Sequence, residues 1–541
     1  MNSSDPKRKL LVVAFLYALL AVALELADIA HGRLVLLVAQ YGIVAPFAAA
    51  MLRGGGGVAR DVDRRIVIVV GVATAAAVIV IARFWDRGML WGDETAYRVQ
   101  AQIFESGRLW ITAPAPTSFD PVISAHELRF THLIIDHGHW FTKYPPGWPI
   151  VLALGELGHV RWLVNPVLAI IAVWIIHRIA SRELALPTSR FAVLIVIASP
   201  FFYMMAASEM SHMLGLVCCA GAVLAFLQGV RTQRVAGLAG AIALVGLCAF
   251  VRPFTACCAA VALAPFYFTA NVRRMLPRLV PYALVIGAAT VGGIALYNYA
   301  YTGAFTRSPY ALYRGTQLPV ELTLSPHAIL ANLERGARWA IEDTLIFMWP
   351  GFALLAGYAL WKRRDLYTRL LASFCGVFVF ANLFQTEGSS SRFGDRYLFE
   401  ALFAFALLAA SGAALLFDRW RTSARSANFV AFTLTVVCAI QGALMIRPTL
   451  REIAPSVAVH DAVAALPNDG SLVFFPITEA FTGDRFDLNT NDWQSAPHMF
   501  LVDPGPDRRA AVALAQGRAS WIVLGYEEGR PRVLASGRAG P

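Results

Sequence analysis

Two acidic side chains stand next to each other in a polar segment that follows a long apolar stretch. They are Asp93 and Glu94, in the run Trp-Gly-Asp-Glu-Thr-Ala-Tyr that ends at Tyr97. From Glu94 onward, apolar residues recur at the rough spacing of an amphipathic helix, for which Asp93 is a candidate N-cap. Carboxylates at such a helix start can exchange protons with a bound molecule, and we favour Asp93 over Glu94 for that role. The alternative is a helix start that is simply solvated.

A lysine in the same polar segment precedes a short apolar stretch. Lys143 and Tyr144 are followed by Pro-Pro-Gly and then by the apolar residues 150–157. This stretch has about half the length that a membrane span requires, so it predicts an interfacial or re-entrant helix opened by the prolines. Lys143 would then lie at the depth of the lipid headgroups. It either binds a ligand there or packs its stem on apolar surface while its amine reaches water.

Arginines at the ends of apolar stretches form a second group of candidates. Arg252 lies between two apolar runs, where an unpaired charge costs about 2.5–3.5 kcal/mol. Its partner could be a lipid phosphate, a carboxylate or helix carbonyls. Arg396 follows Asp395 at the start of a later apolar stretch, and it pairs either with a ligand or with Asp395 or Glu400.

Four histidines and an aspartate in the first polar segment raise the question of a metal site. Their spacing matches no closed zinc site, and we favour a structural or solvated role for them: His126, His132, Asp136, His137 and His139. Glu209 and His212, in a short turn between two apolar stretches, are secondary candidates for lining a cavity. The sequence therefore predicts no cofactor and no bound metal, with a divalent metal left as an alternative.

The elements that must position these residues are membrane spans. Of the 541 residues, 57% are hydrophobic and 15% are charged, and the mean hydropathy is +0.58. Soluble domains carry about 25% charged residues, so the composition indicates a membrane protein. A spanning helix needs about 20 apolar residues. Hydropathy on this basis predicts thirteen spans, at 10–29, 34–52, 66–84, 162–180, 189–206, 211–229, 236–251, 254–270, 279–301, 341–361, 366–385, 396–417 and 427–446. The first is interpreted as a retained span, because it is too long for a usual signal peptide.

The basic residues indicate the orientation of these spans. With the N-terminus in the cytoplasm, every predicted inner loop carries arginine or lysine, as short cytoplasmic loops usually do. The net charge of +11 is therefore mostly a topology signal and not a nucleic-acid-binding surface. We expect a multi-pass protein of a bacterial inner membrane that keeps its polar chemistry on the extracytoplasmic side.

This pattern divides the chain into four predicted parts. They are N-terminal spans at 1–84, a first extracytoplasmic loop with interfacial helices at 85–161, a transmembrane core at 162–446, and an extracytoplasmic domain at 447–541. In the last part, helix-like and strand-like patterns alternate, at 457–466, 471–476, 508–516 and 520–525. The predicted fold class is thus an all-α polytopic membrane protein with a small C-terminal α/β module.

Four short motifs in the polar segments resemble those of the GT-C membrane glycosyltransferases. They are Gly92–Tyr97 just outside an early span, Lys143–Gly147 before a short helix, Val251–Pro253, and Phe393–Leu398 at the start of a late span. The nearest branch is the one that contains the protein O-mannosyltransferases and the lipid A aminoarabinose transferase. Each motif is short, so the resemblance lies in their order along the chain and in the outer side that they share.

The resemblance implies transfer of a sugar from a polyprenyl-phosphate donor to an acceptor on the extracytoplasmic side, usually with inversion at the anomeric carbon. It assigns the catalytic base to Asp93, with Glu94 orienting or contacting the acceptor. Lipid-phosphate or donor-binding roles fall on a larger group: Lys143, Arg252, Arg396, Tyr97 and Tyr144, with Glu209, His212 and Asp395 as secondary candidates.

The chemistry of that reaction agrees with these residue types. Fixed cations at low dielectric stabilise a leaving phosphate, and a carboxylate that takes the acceptor's proton contributes about 10²–10⁴ in rate. The chain departs from the family pattern by two extra spans before the acidic loop and by the missing soluble insert of the mannosyltransferases. These departures leave the acceptor open among lipid A, another envelope glycan, a glycolipid and a protein.

Two other functions compete with sugar transfer. A transporter or flippase for a lipid-linked glycan would carry ionisable residues near mid-membrane, often in related repeats. Apart from Glu25 and Asp28 toward the outer end of the first span, the predicted span interiors are almost free of charge, and we find no internal repeat. An inactive relative that binds a lipid-linked sugar without turnover is the third hypothesis.

Overall fold

The computed structural model of this chain describes residues 6–26, 36, 38–53, 57–88, 92–112, 132–315, 325–339, 348–384, 390–391, 394–476 and 496–540. The chain forms two compact units. The first, here called the helical unit, comprises residues 1–81, 165–291 and 321–448. The second, here called the α/β unit, comprises residues 82–164, 292–320 and 449–541.

Helices make up most of the described chain. In chain order they are α1 (Pro6–Leu26), α2 (Ala45–Leu52), α3 (Arg64–Trp85), α4 (Gly92–Glu105), α5 (Gly147–Leu157), α6 (Val164–Arg178), α7 (Ser189–Ile197), α8 (Pro200–Ala207), α9 (His212–Thr232), α10 (Val235–Val251), α11 (Pro253–Tyr267), α12 (Ala270–Arg273), α13 (Leu276–Thr302), α14 (Pro309–Arg314), α15 (Pro326–Trp339), α16 (Phe352–Lys362), α17 (Leu366–Asn382), α18 (Leu402–Arg419), α19 (Ala424–Ala464) and α20 (Arg509–Ala515). The amphipathic helix and the short apolar helix predicted in the first polar segment are present as α4 and α5.

Six helical segments in the described part of the chain are long and apolar enough to cross a membrane. They are Arg64–Trp85, Arg161–Glu183, His212–Thr232, Leu276–Thr302, Arg396–Arg419 and Ala424–Ala464. Together α7 and α8 make a seventh if they are one span, with a bend of 62° between them. Shorter apolar helices, among them α10, α11 and α17, cover other predicted spans. The chain is therefore an integral, multi-pass membrane protein, and the count of thirteen spans stays a prediction.

The helical unit contains both buried helices and helices that expose apolar side chains. The helices α9 and α18 are buried over most of their length. By contrast, α13 exposes the large apolar side chains of Leu284, Val285 and Val291. Such exposure is expected of a helix that faces lipid, because the surrounding lipid tails are as apolar as these side chains.

Close approach of α16 and α18 depends on a glycine. A Cβ atom added at Gly412 would lie 1.9 Å from the main-chain oxygen of Leu355. No side chain fits at that distance, so only glycine lets these two helix backbones come together. Small residues at such crossings are usual in membrane helices, where packing contributes much of the stability.

Strands form most of the remaining regular structure. β1 (Ile111–Thr112), β2 (Leu133–Asp136) and β3 (His139–Thr142) make an antiparallel sheet of order β1-β3-β2, and β4 (Ser390–Ser391) pairs with β5 (Gly394–Asp395). The C-terminal region contains a sheet of order β7-β6-β8-β9, formed by β6 (Leu472–Phe475), β7 (Met499–Val502), β8 (Ser520–Glu527) and β9 (Arg530–Arg538). Strand β6 is parallel to both its neighbours, and β9 is antiparallel to β8. This region is the small α/β module that the sequence predicts.

In the α/β unit, a hydrophobic core joins α4 to the sheet β1-β3-β2 and to the C-terminal sheet. Buried side chains from each contribute, such as Ile103 of α4, Trp140 of β3 and Leu472 of β6. The next residue of β6, Val473, points to the opposite face, because successive strand side chains alternate. There it packs with Val459 of α19. Both faces of the central strand are therefore covered, and α4 is held by a core rather than by a loop.

The last apolar helix is longer than the sequence predicts. The pattern at 457–466 predicts a separate helix, whereas α19 runs without a break from Ala424 to Ala464. Prolines at positions 448 and 455 do not end it. Ile453 and Val459 are fully buried, and Gly88 approaches Ile453 so closely that an added Cβ would lie 2.5 Å from its Cγ2. Tertiary packing thus stabilises the helix past the prolines.

Replacing Gly412 with alanine is expected to lower the free energy of unfolding by about 1–3 kcal/mol, because the added methyl group forces the helix backbones apart. The matched control is Gly357→Ala in α16, where a Cβ meets nothing within 4 Å and no measurable loss is expected. Unfolding of detergent-solubilised protein, followed by circular dichroism, measures both variants. Equal stability of the two would contradict the close approach.

Candidate active site

The start of α4 is fixed by hydrogen bonds to the turn that precedes it. The indole nitrogen of Trp85 donates to Glu94 Oε2 at 3.0 Å. Arg98 donates to the main-chain oxygens of Trp85 and Gly88 at 3.1 and 3.2 Å. Glu94 and Arg98 are both buried, and buried charges need partners, so these bonds hold the first turn of α4 in one position. The predicted role of Glu94, to orient or contact the acceptor, stays a prediction.

The contacts of Asp93 include His132 and Tyr144, which lie beyond its own helix. Its Oδ1 atom is 3.1 Å from His132 Nε2 and accepts a hydrogen bond from the hydroxyl of Tyr144. Burial raises the pKa of the Tyr144 hydroxyl well above its usual range, and the charge of Asp93 raises it further. Tyr144 therefore keeps its proton and remains a donor. With its side chain 18% exposed, Asp93 lies at the edge of the protein interior.

Tyr144 is itself held by two other tyrosines. Its main-chain oxygen accepts a hydrogen bond from the Tyr297 hydroxyl at 2.8 Å. The ring centroids of Tyr97 and Tyr144 lie 4.5 Å apart. Tyr97 lies one helical turn after Asp93 in α4, and residues four apart share a helix face, so both meet Tyr144. Tyr97 and Tyr144, both predicted to bind the donor, thus contact each other.

Lys143 is buried among tyrosine rings. Its side-chain amine lies 4.5, 4.9 and 5.1 Å from the ring centres of Tyr313, Tyr310 and Tyr144, and the residue is 4% exposed. Such distances allow cation–π attraction, which grows when the cation is desolvated. Tyr310 and Tyr313 share one face of the short helix α14, whose N-cap Ser308 accepts a hydrogen bond from the main-chain nitrogen of residue 311 at 3.1 Å.

In the helical unit, Arg252 pairs with a carboxylate. Its Nε atom lies 2.8 Å from Glu400 Oε1, and it donates to the hydroxyls of Ser211 and Thr255 at 3.0 and 3.3 Å. His212 Nδ1 lies 3.0 Å from the same oxygen of Glu400. Of the three partners that the sequence leaves open for Arg252, the structure thus contains the carboxylate.

A glycine makes room for this pair. A Cβ atom at Gly215 of α9 would lie 3.0 Å from Glu400 Cγ and 3.4 Å from Arg252 Cδ. Glu400 is fully buried in the 3-10 turn Arg396–Ala401 that precedes α18. Glu400 and Arg252 can therefore meet beside α9, because Gly215 has no side chain at that point.

Arg396 adjoins the same cluster through an aromatic ring. The guanidinium carbons of Arg252 and Arg396 lie 5.7 and 5.6 Å from the ring centre of Tyr397, within cation–π range. Asp395 is buried and accepts hydrogen bonds from Asn382 at 2.5 Å and from the main-chain nitrogen of Tyr397 at 3.0 Å. Asp395 thus caps the turn that carries Arg396.

The histidines of the first polar segment do not form a metal site in the described residues. His132 contacts the candidate base, His137 Nδ1 lies 3.0 Å from Asp136 Oδ2, and His139 stacks on a tryptophan ring. His126 lies outside the described residues. Across the part of the chain that the structure describes, no group of three or more potential ligands could hold a metal ion.

The structure thus gathers most predicted site residues into two sets, one in each unit. The α/β unit brings together Asp93, Tyr97, Lys143 and Tyr144. The helical unit brings together His212, Arg252, Asp395 and Arg396, while Glu209 is buried in the turn before α9.

Sequence reasoning missed four members of these sets. Tyr310 and Tyr313 carry one usable signal, because residues three apart after a proline predict a short helix with two rings on one face. No spacing in the sequence connects His132 to the acidic pair, and the sequence suggests His132 only as a candidate metal ligand. Glu400 was considered only as a partner of Arg396, although it pairs with another arginine.

The long apolar helices and the polar clusters beside them define a membrane protein with two sites able to hold charge. Residues 149–294 match the sequence profile of the family described as dolichyl-phosphate-mannose-protein mannosyltransferase. No curated protein matches the sequence.

Two solved structures share the fold over 84% of this chain. ArnT from Cupriavidus metallidurans in the apo state matches with a TM-score of 0.54 and 13% identity, over 84% of this chain and 93% of that chain. ArnT from the same organism bound to undecaprenyl phosphate matches with a TM-score of 0.51 and 12% identity, over 84% of this chain and 92% of that chain. The profile and the fold together confirm the resemblance to the GT-C membrane glycosyltransferases that the motifs indicate.

Replacing Tyr313 with leucine is expected to lower the free energy of unfolding by about 1 kcal/mol more than replacing it with phenylalanine, because only the aromatic ring attracts the Lys143 ammonium. Denaturant unfolding of the solubilised protein measures the difference. In a Lys143→Met background that difference should shrink, since the cation is gone. A difference that is unchanged by Lys143→Met would show that the rings do not hold the lysine charge.

Glu400→Gln is expected to lower the free energy of unfolding by about 3 kcal/mol, because it leaves the Arg252 guanidinium without its buried counter-charge. The double variant Glu400→Gln/Arg252→Met should lose less than the sum of the two single losses, since the charge that needed a partner is absent. Thermal unfolding in detergent measures all three. Strict additivity would contradict the ion pair.

Proposed function

We propose that this protein is an integral membrane glycosyltransferase that moves a sugar from a polyprenyl-phosphate donor to an acceptor on the extracytoplasmic face. Asp93 acts as the base and the anomeric configuration is inverted. The N-terminus lies in the cytoplasm, and the C-terminal α/β module lies outside a bacterial inner membrane. The inner-loop arginines and lysines support this orientation.

One observation carries the proposal: Asp93 and Lys143 flank the same tyrosine. The Tyr144 hydroxyl donates to the carboxylate, and its ring centre lies 5.1 Å from the lysine amine. A single unit of the protein therefore presents an acid and a cation side by side. A sugar phosphate needs both, because its leaving group is an anion and its acceptor must lose a proton.

In the proposed reaction, the acceptor's hydroxyl oxygen forms a bond to the anomeric carbon while Asp93 takes the hydroxyl proton. The bond between that carbon and the phosphate oxygen breaks on the opposite face, and its electron pair leaves with the polyprenyl phosphate. Lys143 stabilises the negative charge of that phosphate. Attack and departure on opposite faces invert the configuration.

The lipid donor is supported by the comparison with ArnT, whose structure contains undecaprenyl phosphate. The matched profile of residues 149–294, named for a dolichyl-phosphate mannose enzyme, supports the same class of donor. Phosphate contacts by Arg252 and Arg396 stay predictions. Arg252 already pairs with Glu400, so a phosphate there would join an existing ion pair.

Asp93→Asn is expected to lower sugar transfer by at least about 10²-fold while donor affinity changes little, because the amide keeps the shape but cannot take the proton. Reconstituted protein is given labelled polyprenyl-phosphate sugars and an envelope extract, and release of sugar from the lipid is measured. The matched control is Asp136→Asn on β2, which pairs with an exposed histidine and should behave as wild type.

Two results would overturn the proposal. Wild-type protein that binds the donor but releases no sugar with any donor of the panel would point to transport or a non-catalytic role. Full transfer by Asp93→Asn would remove Asp93 as the base. The anomeric configuration of the product tests inversion separately.

A further inference from the structure

His132 has an unusual backbone conformation next to the candidate base. It is the first described residue before β2, and its φ is 56°, in the left-handed region that residues other than glycine seldom adopt. Strained backbone of this kind persists only where the surroundings over-determine it. The backbone of His132 is connected to the candidate site, because its main-chain oxygen accepts a hydrogen bond from the main-chain nitrogen of Lys143 at 3.1 Å.

The imidazole of His132 is aimed at the carboxylate. Its Nε2 atom lies 3.1 Å from Asp93 Oδ1, and its ring meets those of Tyr144 and Tyr313 edge-on, with both centroids 5.9 Å away. The other ring nitrogen, Nδ1, is buried and has no hydrogen-bond partner in the described part of the chain. A carboxylate oxygen accepts hydrogen bonds, and it faces Nε2. In its neutral form the imidazole therefore carries its proton on Nε2.

Charge on this imidazole changes what the carboxylate can do. A cation beside a carboxylate stabilises its ionised form and weakens it as a base, whereas a neutral N–H donor orients it with a smaller effect. Imidazole is the side chain whose charge changes between about pH 5 and 8. Besides Asp93, the described part of the chain places three titratable residues next to His132: Tyr144 and Tyr313, which face its ring, and Lys143, whose main-chain nitrogen donates to its main-chain oxygen. Tyr144 stays protonated.

We propose that His132 is a positioning residue of the transfer site: its Nε2–H holds the Asp93 carboxylate, and its charge sets how strong a base that carboxylate is. This inference rests on the proposed function, because it assigns a partner to the same base. It gives the reaction a pH dependence of its own, with transfer faster when the imidazole is neutral.

The chain supplies a matched control in the same hairpin. His137 also has a positive φ, 48°, and also pairs with an aspartate, since its Nδ1 lies 3.0 Å from Asp136 Oδ2. Its side chain is 87% exposed, whereas that of His132 is 23% exposed. A change at His137 therefore repeats the residue type, the backbone strain and the contact with an aspartate without touching the candidate base.

Three variants separate the two roles of His132. Glutamine at position 132 keeps an N–H group near Nε2 but cannot become charged. Asparagine suits the left-handed backbone but is too short to reach Asp93, so it removes the contact without adding strain. His137→Gln is the control. Each reconstituted protein is assayed for kcat and for the donor KM from about pH 5 to pH 8, with folding checked by size-exclusion chromatography.

For the wild type and His137→Gln we expect kcat to fall about threefold or more toward low pH. His132→Gln should keep the donor KM and lose that fall. His132→Asn should lower kcat about tenfold at pH about 8 with the donor KM unchanged. An unaltered pH profile in His132→Gln, or wild-type kcat in His132→Asn, would overturn the inference while the proposed function stands. Absence of any transfer by the wild type would instead overturn the proposed function, and this inference with it.

Discussion

Charge held out of water is the constraint on which this structure depends. A buried ion costs several kcal/mol unless a partner meets it, and the cost is greatest where the surroundings are apolar. At the start of α4, Glu94 and Arg98 meet this demand with groups of the preceding turn. In the helical unit, Glu400 and Arg252 meet it with each other. The first contacts are local and fix one turn, whereas the pair of Glu400 and Arg252 joins segments that are far apart in the chain.

The candidate base is positioned by a hydrophobic core. Helix α4 carries Asp93 at its first turn and buries Ile103 among the strands of both sheets in the α/β unit. A catalytic group on a packed helix varies less in position than one on a loop, and this precision is what general base catalysis requires. The C-terminal sheet thus contributes to the candidate site by packing against the helix that carries Asp93. Its central strand, β6, stabilises α4 through the core that the two elements share.

The Asp93 carboxylate lies among polar groups that come from outside its own helix. Tyr144 donates a hydrogen bond to Asp93 and keeps its own proton, because burial raises the pKa of its hydroxyl. The imidazole Nε2 of His132 lies 3.1 Å from the same carboxylate oxygen. Lys143, held by tyrosine rings, places a cation near the same ring that binds the carboxylate. Such an arrangement suits a reaction in which a proton and a phosphate charge move at the same time.

Length and composition determine that this chain is a membrane protein. A segment can cross the lipid when it is long and apolar enough and its helix satisfies its own backbone hydrogen bonds, and both properties follow from local sequence. Local pattern also determines α4, α5 and the strands β6 and β8, and residue type made Asp93 and Lys143 candidates. Tertiary structure decided the rest. The approach of His132 to Asp93 and of Glu400 to Arg252 leaves no trace in spacing, because distant segments meet only when a shared core brings them together. The run of α19 past two prolines has the same cause, since packing outweighed the local preference to stop.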